Sequence, residues 1–278
     1  MRRAYSETAT GQVHLRTLGA AGARPLLCLH KTPSSSIQFL RVAPLLAAAG
    51  YRVIALDTPG FGGSAALPGG PSIAGFARSV VEVLDGLGIE QADVLGHHTG
   101  ALTALELAVR HEPRVGRVIL GGILVMRDAA ERDAYIPYLT RYKFDLDARG
   151  AFLDTYPRGP LNDWLTRDDP EQYLWEATAY LQGARAFTDT YVATLHHDAW
   201  EILPTVRRPV LFLDQAEGRC HESTERVAPR VPGAEYVCLP GTSEGCLDDP
   251  EPFAAEVIRF LAAGSPAAAA TPATALTV

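Results

Sequence analysis

The stretch Ala92-Asp-Val-Leu-Gly96-His97-His98-Thr99-Gly100-Ala101 decides how this chain is read. Ala92 to Leu95 has the length and composition of a strand buried on both faces. It passes with no loop into a segment, Thr99 to about His111, whose apolar residues recur at helical spacing. A strand that becomes a helix across so few residues must turn sharply, through a backbone conformation that side chains avoid. Glycines at 96 and 100 flank the turn, as expected where two pieces of backbone crowd. The residue in the middle of this turn is His98.

On either side of this turn, strand and helix patterns alternate. Gln12 to Leu18 alternates as an early strand, Pro25 to His30 is a short apolar run, and Ile37 to Ala49 has helical periodicity ended by Gly50. Tyr51 to Asp57 reads as a buried strand, and Thr58 to Ser64 is a loop by composition. Ser72 is placed to cap a helix reaching about Leu87. Arg117 to Leu124 is the strand after the helix that begins at Thr99. The alternation stops near Met126. From there to about Leu203 the chain is helical in pattern and carries Tyr135, Tyr138, Tyr142, Trp164, Trp175 and Tyr180. Strands resume at Pro209 to Asp214 and Glu235 to Pro240, and a last helix runs from about Pro250 to Ala263. Strands alternating with helices predict an α/β fold with a mostly parallel sheet covered on both faces. The expected organisation is a core of residues 1–125 and 204–263, a helical insertion at 126–203, and a disordered Ala/Thr/Pro-rich tail at 264–278.

Composition narrows the function. The chain has 278 residues, 47% of them hydrophobic, and a formal net charge of −7. A mildly acidic chain without a basic stripe argues against nucleic acid or an anionic membrane as partner. No signal peptide or membrane span is read from the sequence, and a cytoplasmic protein is expected. The four cysteines, Cys28, Cys220, Cys238 and Cys246, form no C-x-x-C pair, so structural zinc is not expected and reduced thiols are. There is no dinucleotide-binding glycine fingerprint and no P-loop, so no cofactor is expected.

Several pieces in register resemble the α/β-hydrolase superfamily across nearly all of residues 10–263. Leu29-His30-Lys31-Thr32-Pro33 stands where that family carries its oxyanion-hole loop. Asp57-Thr58-Pro59-Gly60-Phe61-Gly62-Gly63-Ser64 looks like its D-x-P-G-F-G-x-S stretch. Gly96-His97-His98-Thr99-Gly100 stands at its G-x-S-x-G nucleophile elbow, the 126–203 insertion at its lid, and Asp249-Pro250-Glu251 at the opening of its last helix. The resemblance implies that the elbow position, serine in the family, is His98. The family's histidine register falls on Ser243, beside Glu244, and its acid register near Glu217-Gly218, with Asp214, Glu217 and Asp128 as the acids at hand.

Three readings of His98 follow. In the first, a neutral imidazole above a helix N-terminus acts as general acid or base on a small carbonyl-containing substrate, in lyase, decarboxylase or isomerase chemistry. In the second, His98 activates water to hydrolyse an ester, lactone or C–C bond. In the third, the chain is a non-catalytic small-molecule-binding protein. Thr99 N–H and the Lys31-Thr32 loop are expected to form an oxyanion hole, with Lys31 adding a cation. Ser243 and Glu244 are expected to orient the imidazole. His30, Thr32 and His197 are expected to line the substrate pocket, His197 as part of a roof formed by His196-His197-Asp198. Metal ligation by His30, His98, His196, His197 or His221 matches no spacing signature and is not expected.

Overall fold

The structure, a computed structural model, describes residues 1–140, 169–242 and 245–263. Its centre is an eight-stranded sheet in the order β1-β2-β4-β3-β5-β6-β7-β8. The strands are β1 (Arg2–Thr8), β2 (Gly11–Leu18), β3 (Arg24–Leu29), β4 (Tyr51–Leu56), β5 (Ala92–His97), β6 (Val115–Gly121), β7 (Val210–Gln215) and β8 (Glu235–Leu239). β1 and β2 form a hairpin, β2 pairs antiparallel with β4, and every later pairing is parallel. The helices are α1 (Val42–Ala48), α2 (Ile73–Gly86), α3 (Thr99–Arg110) and α4 (Ala129–Thr140), then Pro170–Gly183, Phe187–Leu195, Ala199–Ile202, His221–Val227, Gly245–Asp248 and Pro250–Ala262. This is the expected α/β architecture. Among the described residues, no helix is long and apolar enough to cross a membrane.

Two apolar layers enclose the sheet because its strands alternate between them. Val94, Leu120 and Phe212 face α2 and α3, while Leu95, Ile119 and Leu213 face α1 and Pro250–Ala262. Burial of both faces explains why β3 to β7 read as continuous apolar runs. Edge strand β1, Arg-Arg-Ala-Tyr-Ser-Glu-Thr, is mostly exposed and polar and left no such run to read. The expected 37–49 helix is two pieces, a 3-10 turn at Ser36–Phe39 and then α1. Pro44 accounts for the break. Its ring would collide with the carbonyl four residues earlier, at Leu40, in a continuous helix, and is accepted in the first turn of a new one. Ser72 caps α2 as expected, its hydroxyl accepting from Gly75 N–H. Between β6 and β7 the described chain is helical. Tyr142 and Trp164 of the insertion, and the 264–278 tail, lie outside the described residues.

Asp57 ties the loops above the sheet together. One carboxylate oxygen accepts from Ser36 N–H at 2.7 Å, and the other meets His14 Nδ1 and Gly63 N–H, each at 2.8 Å. Burial alone would raise this carboxyl's pKa, but the bonds from His14, Ser36 and Gly63 outweigh it and hold the pKa at about 2. A carboxyl depressed from 3.8 to about 2 favours the folded state above pH 3.8, and that contribution is lost as pH falls toward 2. Asp57→Asn is expected to cost about 2–3 kcal/mol at pH 7 in urea unfolding. It is also expected to flatten the loss of stability between pH 4 and pH 2; an unchanged acid limb would remove Asp57 from this role.

Candidate active site

β5 and α3 meet with a single residue between them, and that residue is His98. Its φ is +49° and its ψ −108°, and among the described residues it is the one non-glycine with positive φ. The crowding is severe. A Cβ on Gly96 would lie 2.1 Å from Gly100 O, and one on Gly100 would lie 2.0 Å from Leu29 O. The turn is held by His98 N–H donating to Gly121 O at 2.9 Å, and by His98 O accepting from Ala101 N–H and Leu102 N–H. Strain of this kind costs about 1–3 kcal/mol and persists only where the surroundings enforce it.

The His98 ring stacks on His97, with centroids 4.2 Å apart and planes 21° apart. Its other side meets Gly122, where a Cβ would come within 2.9 Å of Cδ2 and 3.0 Å of Nε2. That added Cβ would lie 3.8 Å from Cys220 Cβ, so Cys220 borders the same space. Nε2 is buried and makes no hydrogen bond to any described residue. The ring is held neutral. Burial pushes its pKa well below 6.5, and His97 and the positive charges of Lys31 and Arg219 push it further.

Behind the elbow, one side chain that the sequence did not single out makes three bonds. Gln38 Oε1 accepts from Lys31 N–H at 2.9 Å, and Gln38 Nε2 donates to His97 Nδ1 at 2.6 Å and to Cys246 Sγ at 3.4 Å. The amide therefore joins the loop after β3, the elbow and the start of Gly245–Asp248. Nothing in the spacing of Gln38 marks it, because two of its three partners, His97 and Cys246, are distant in sequence. Arg219 was missed for the same reason.

The expected site residues divide accordingly. Thr99 opens α3, and Lys31 is 2% exposed, so its positive charge is enclosed near the elbow rather than solvated. The Lys31 N–H is nevertheless taken by Gln38, which corrects its assignment as an oxyanion donor. The N–H groups of Thr32 and Thr99 donate to no other described group. His30 is buried with both ring nitrogens engaged, Nδ1 donating to Lys31 O at 2.7 Å and Nε2 accepting from Thr58 N–H at 2.8 Å. It fixes the loop and has no atom left for a ligand. Thr32 O accepts from Tyr191 OH at 2.7 Å, so this loop touches the insertion. His197 does not reach the elbow as expected. Its Nε2 lies 3.6 Å from Glu106, two turns along α3 and about 12 Å from His98 along the axis. The acids at hand are also taken elsewhere: Asp214 by His221 and Tyr236, and Asp128 by Glu131 N–H, while Glu217 is exposed. Ser243 and Glu244 lie outside the described residues.

A family model described as alpha/beta hydrolase fold matches residues 24–177. The chain belongs to the α/β-hydrolase family. This α/β hydrolase is 27% identical to a fluoroacetate dehalogenase of a Burkholderia species over 83% of this chain and 84% of the relative. It is 38% identical to a 2-hydroxy-6-oxononadienedioate/2-hydroxy-6-oxononatrienedioate hydrolase of Paraburkholderia phymatum over 40% of each chain. Among solved structures, a thermophilic esterase from Thermogutta terrifontis superposes with a TM-score of 0.78 at 18% identity, covering 95% of this chain and 99% of that one, a likeness of fold.

In NMR of ring-labelled histidine, His98 is expected to stay neutral down to pH values well under 6.5. Arg219→Gln, which removes one of the charges acting on it, is expected to move that midpoint upward. A midpoint near 6.5 in both proteins would contradict this electrostatic picture.

Proposed function

We propose that this α/β hydrolase catalyses acid–base chemistry at His98 on a small carbonyl-containing substrate that carries negative charge, without a serine nucleophile and without a cofactor. The observation that carries the reading is the buried, unbonded Nε2 of a neutral imidazole on the elbow, with Lys31 and Arg219 near enough to depress its pKa. A negative charge bound beside the ring would raise the basicity of His98. The N–H groups of Thr32 and Thr99 are proposed to hold the developing oxyanion or enolate. Ser243 and Glu244 are proposed to orient the ring, since Cys246 just beyond them joins His97 through Gln38. The 126–203 insertion is proposed as a lid, in keeping with the Tyr191 bond to Thr32. Proton abstraction leading to lyase, decarboxylase or isomerase products fits this arrangement.

A second reading is hydrolysis by water that His98 activates, and it is favoured by relatives whose names are those of a dehalogenase and a hydrolase. Product analysis in ¹⁸O-labelled water separates the two, because only hydrolysis places the label in the product.

The test is turnover of p-nitrophenyl esters, β-keto acids and lactones by wild type and by His98→Gln. The variant is expected to keep its fold and lose at least about a hundredfold in kcat/KM, the lower range of acid–base contributions. Unchanged turnover in the variant would overturn the role of His98. Binding by wild type with no turnover of any class would favour a small-molecule-binding protein instead.

A further inference from the structure

Three donor groups of different chemistry meet near the outer edge of the sheet. Asp214 of β7 and Cys238 of β8 are register partners, so their side chains leave the same face. His221 opens the helix His221–Val227 above that face. Its Nδ1 is 2.7 Å from Asp214 Oδ2 and 4.0 Å from Cys238 Sγ. One donor atom from each residue lies within 4.8 Å of the other two.

The arrangement is not a nucleophile relay. A Cys–His–Asp relay needs the acid and the thiol on opposite ring nitrogens. Here the carboxylate and the sulfur converge on the same nitrogen, as ligands of one cation do. Ligand bonds of about 2.0–2.3 Å in tetrahedral geometry put donor atoms about 3.2–3.6 Å apart. The observed 2.7 and 4.0 Å need shifts of about half an ångström to reach it. The surroundings suit a cation. Tyr236 OH donates to Asp214 Oδ2 at 3.1 Å and steadies the carboxylate from behind. Glu225, one helical turn beyond His221, brings a second carboxylate charge close enough to act on Cys238. Asp214 is buried, whereas Cys238 is exposed and leaves an entry path.

We propose that Asp214, His221 and Cys238 form a site for one borderline-soft divalent cation of the zinc type, with a fourth position open to solvent. Oxygen, nitrogen and sulfur donors together select zinc over magnesium or calcium. On binding, the Cys238 thiol releases its proton to solvent, and the His221 proton moves from Nδ1 to Nε2 so that Nδ1 can ligate. The residues come from three elements and their spacing matches no ligand signature, so only the fold brings them together.

The test is titration of the full chain with Co(II), followed by the sulfur-to-cobalt charge-transfer absorption. One equivalent is expected to bind and to be displaced by Zn(II). The absorption is expected to vanish in Cys238→Ser, a small change at an exposed position, and the affinity to fall at least tenfold in His221→Gln. Tyr236→Phe, which removes no ligand, is expected to keep the stoichiometry. No charge-transfer absorption in wild type, or the same absorption in a folded Cys238→Ser, would overturn the proposal.

Discussion

The backbone turn at His98 is the constraint on which the site depends. β5 ends and α3 begins across one residue, and the geometry admits no Cβ at Gly96 or Gly100. That closeness sets α3 against the ends of β3 and β5 and leaves the first N–H groups of the helix at the site. It also forces the apex residue to φ +49° with its side chain raised. The fold thus determines where a functional group stands, and the sequence determines which one it is. In this chain it is an imidazole packed between His97 and Gly122.

The turns that follow β4 and β5 treat ionisable groups in opposite ways. Asp57 is surrounded by three donors, from His14, Ser36 and Gly63, and stays charged despite its burial. His98 meets no acceptor at Nε2 among the described residues and lies within reach of two positive charges, so burial wins and it stays neutral. The first arrangement fixes loops. The second keeps an imidazole neutral at the turn.

Much of this was legible in the sequence, for identifiable reasons. The parallel strands, buried on both faces, produce unbroken apolar runs. The elbow needs glycines at fixed positions, and the Asp57 to Ser64 loop needs its glycines and its acid, so both can be recognised from one chain. The edge strand β1 could not be read, because an exposed strand has no apolar run. The roles of Gln38 and Arg219 around His98 were hidden because they depend on side chains brought together from distant parts of the chain. The same limit explains the two errors at the site. Lys31 acts on the charge of His98, but the loss of its N–H to Gln38 is a tertiary fact. His197 was assigned to the roof from its position at the end of the insertion, whereas its ring follows the charge of Glu106 on the flank of α3.

The central claim is that the neutral His98 ring is the group that moves the proton. The most direct measurement is the pH dependence of kcat/KM for a substrate that wild type turns over, set beside the same profile for Arg219→Gln. The account predicts an acid limb in wild type with a midpoint well below 6.5, displaced upward when the Arg219 charge is removed. A profile with no acid limb, or an identical midpoint in the two proteins, would contradict it.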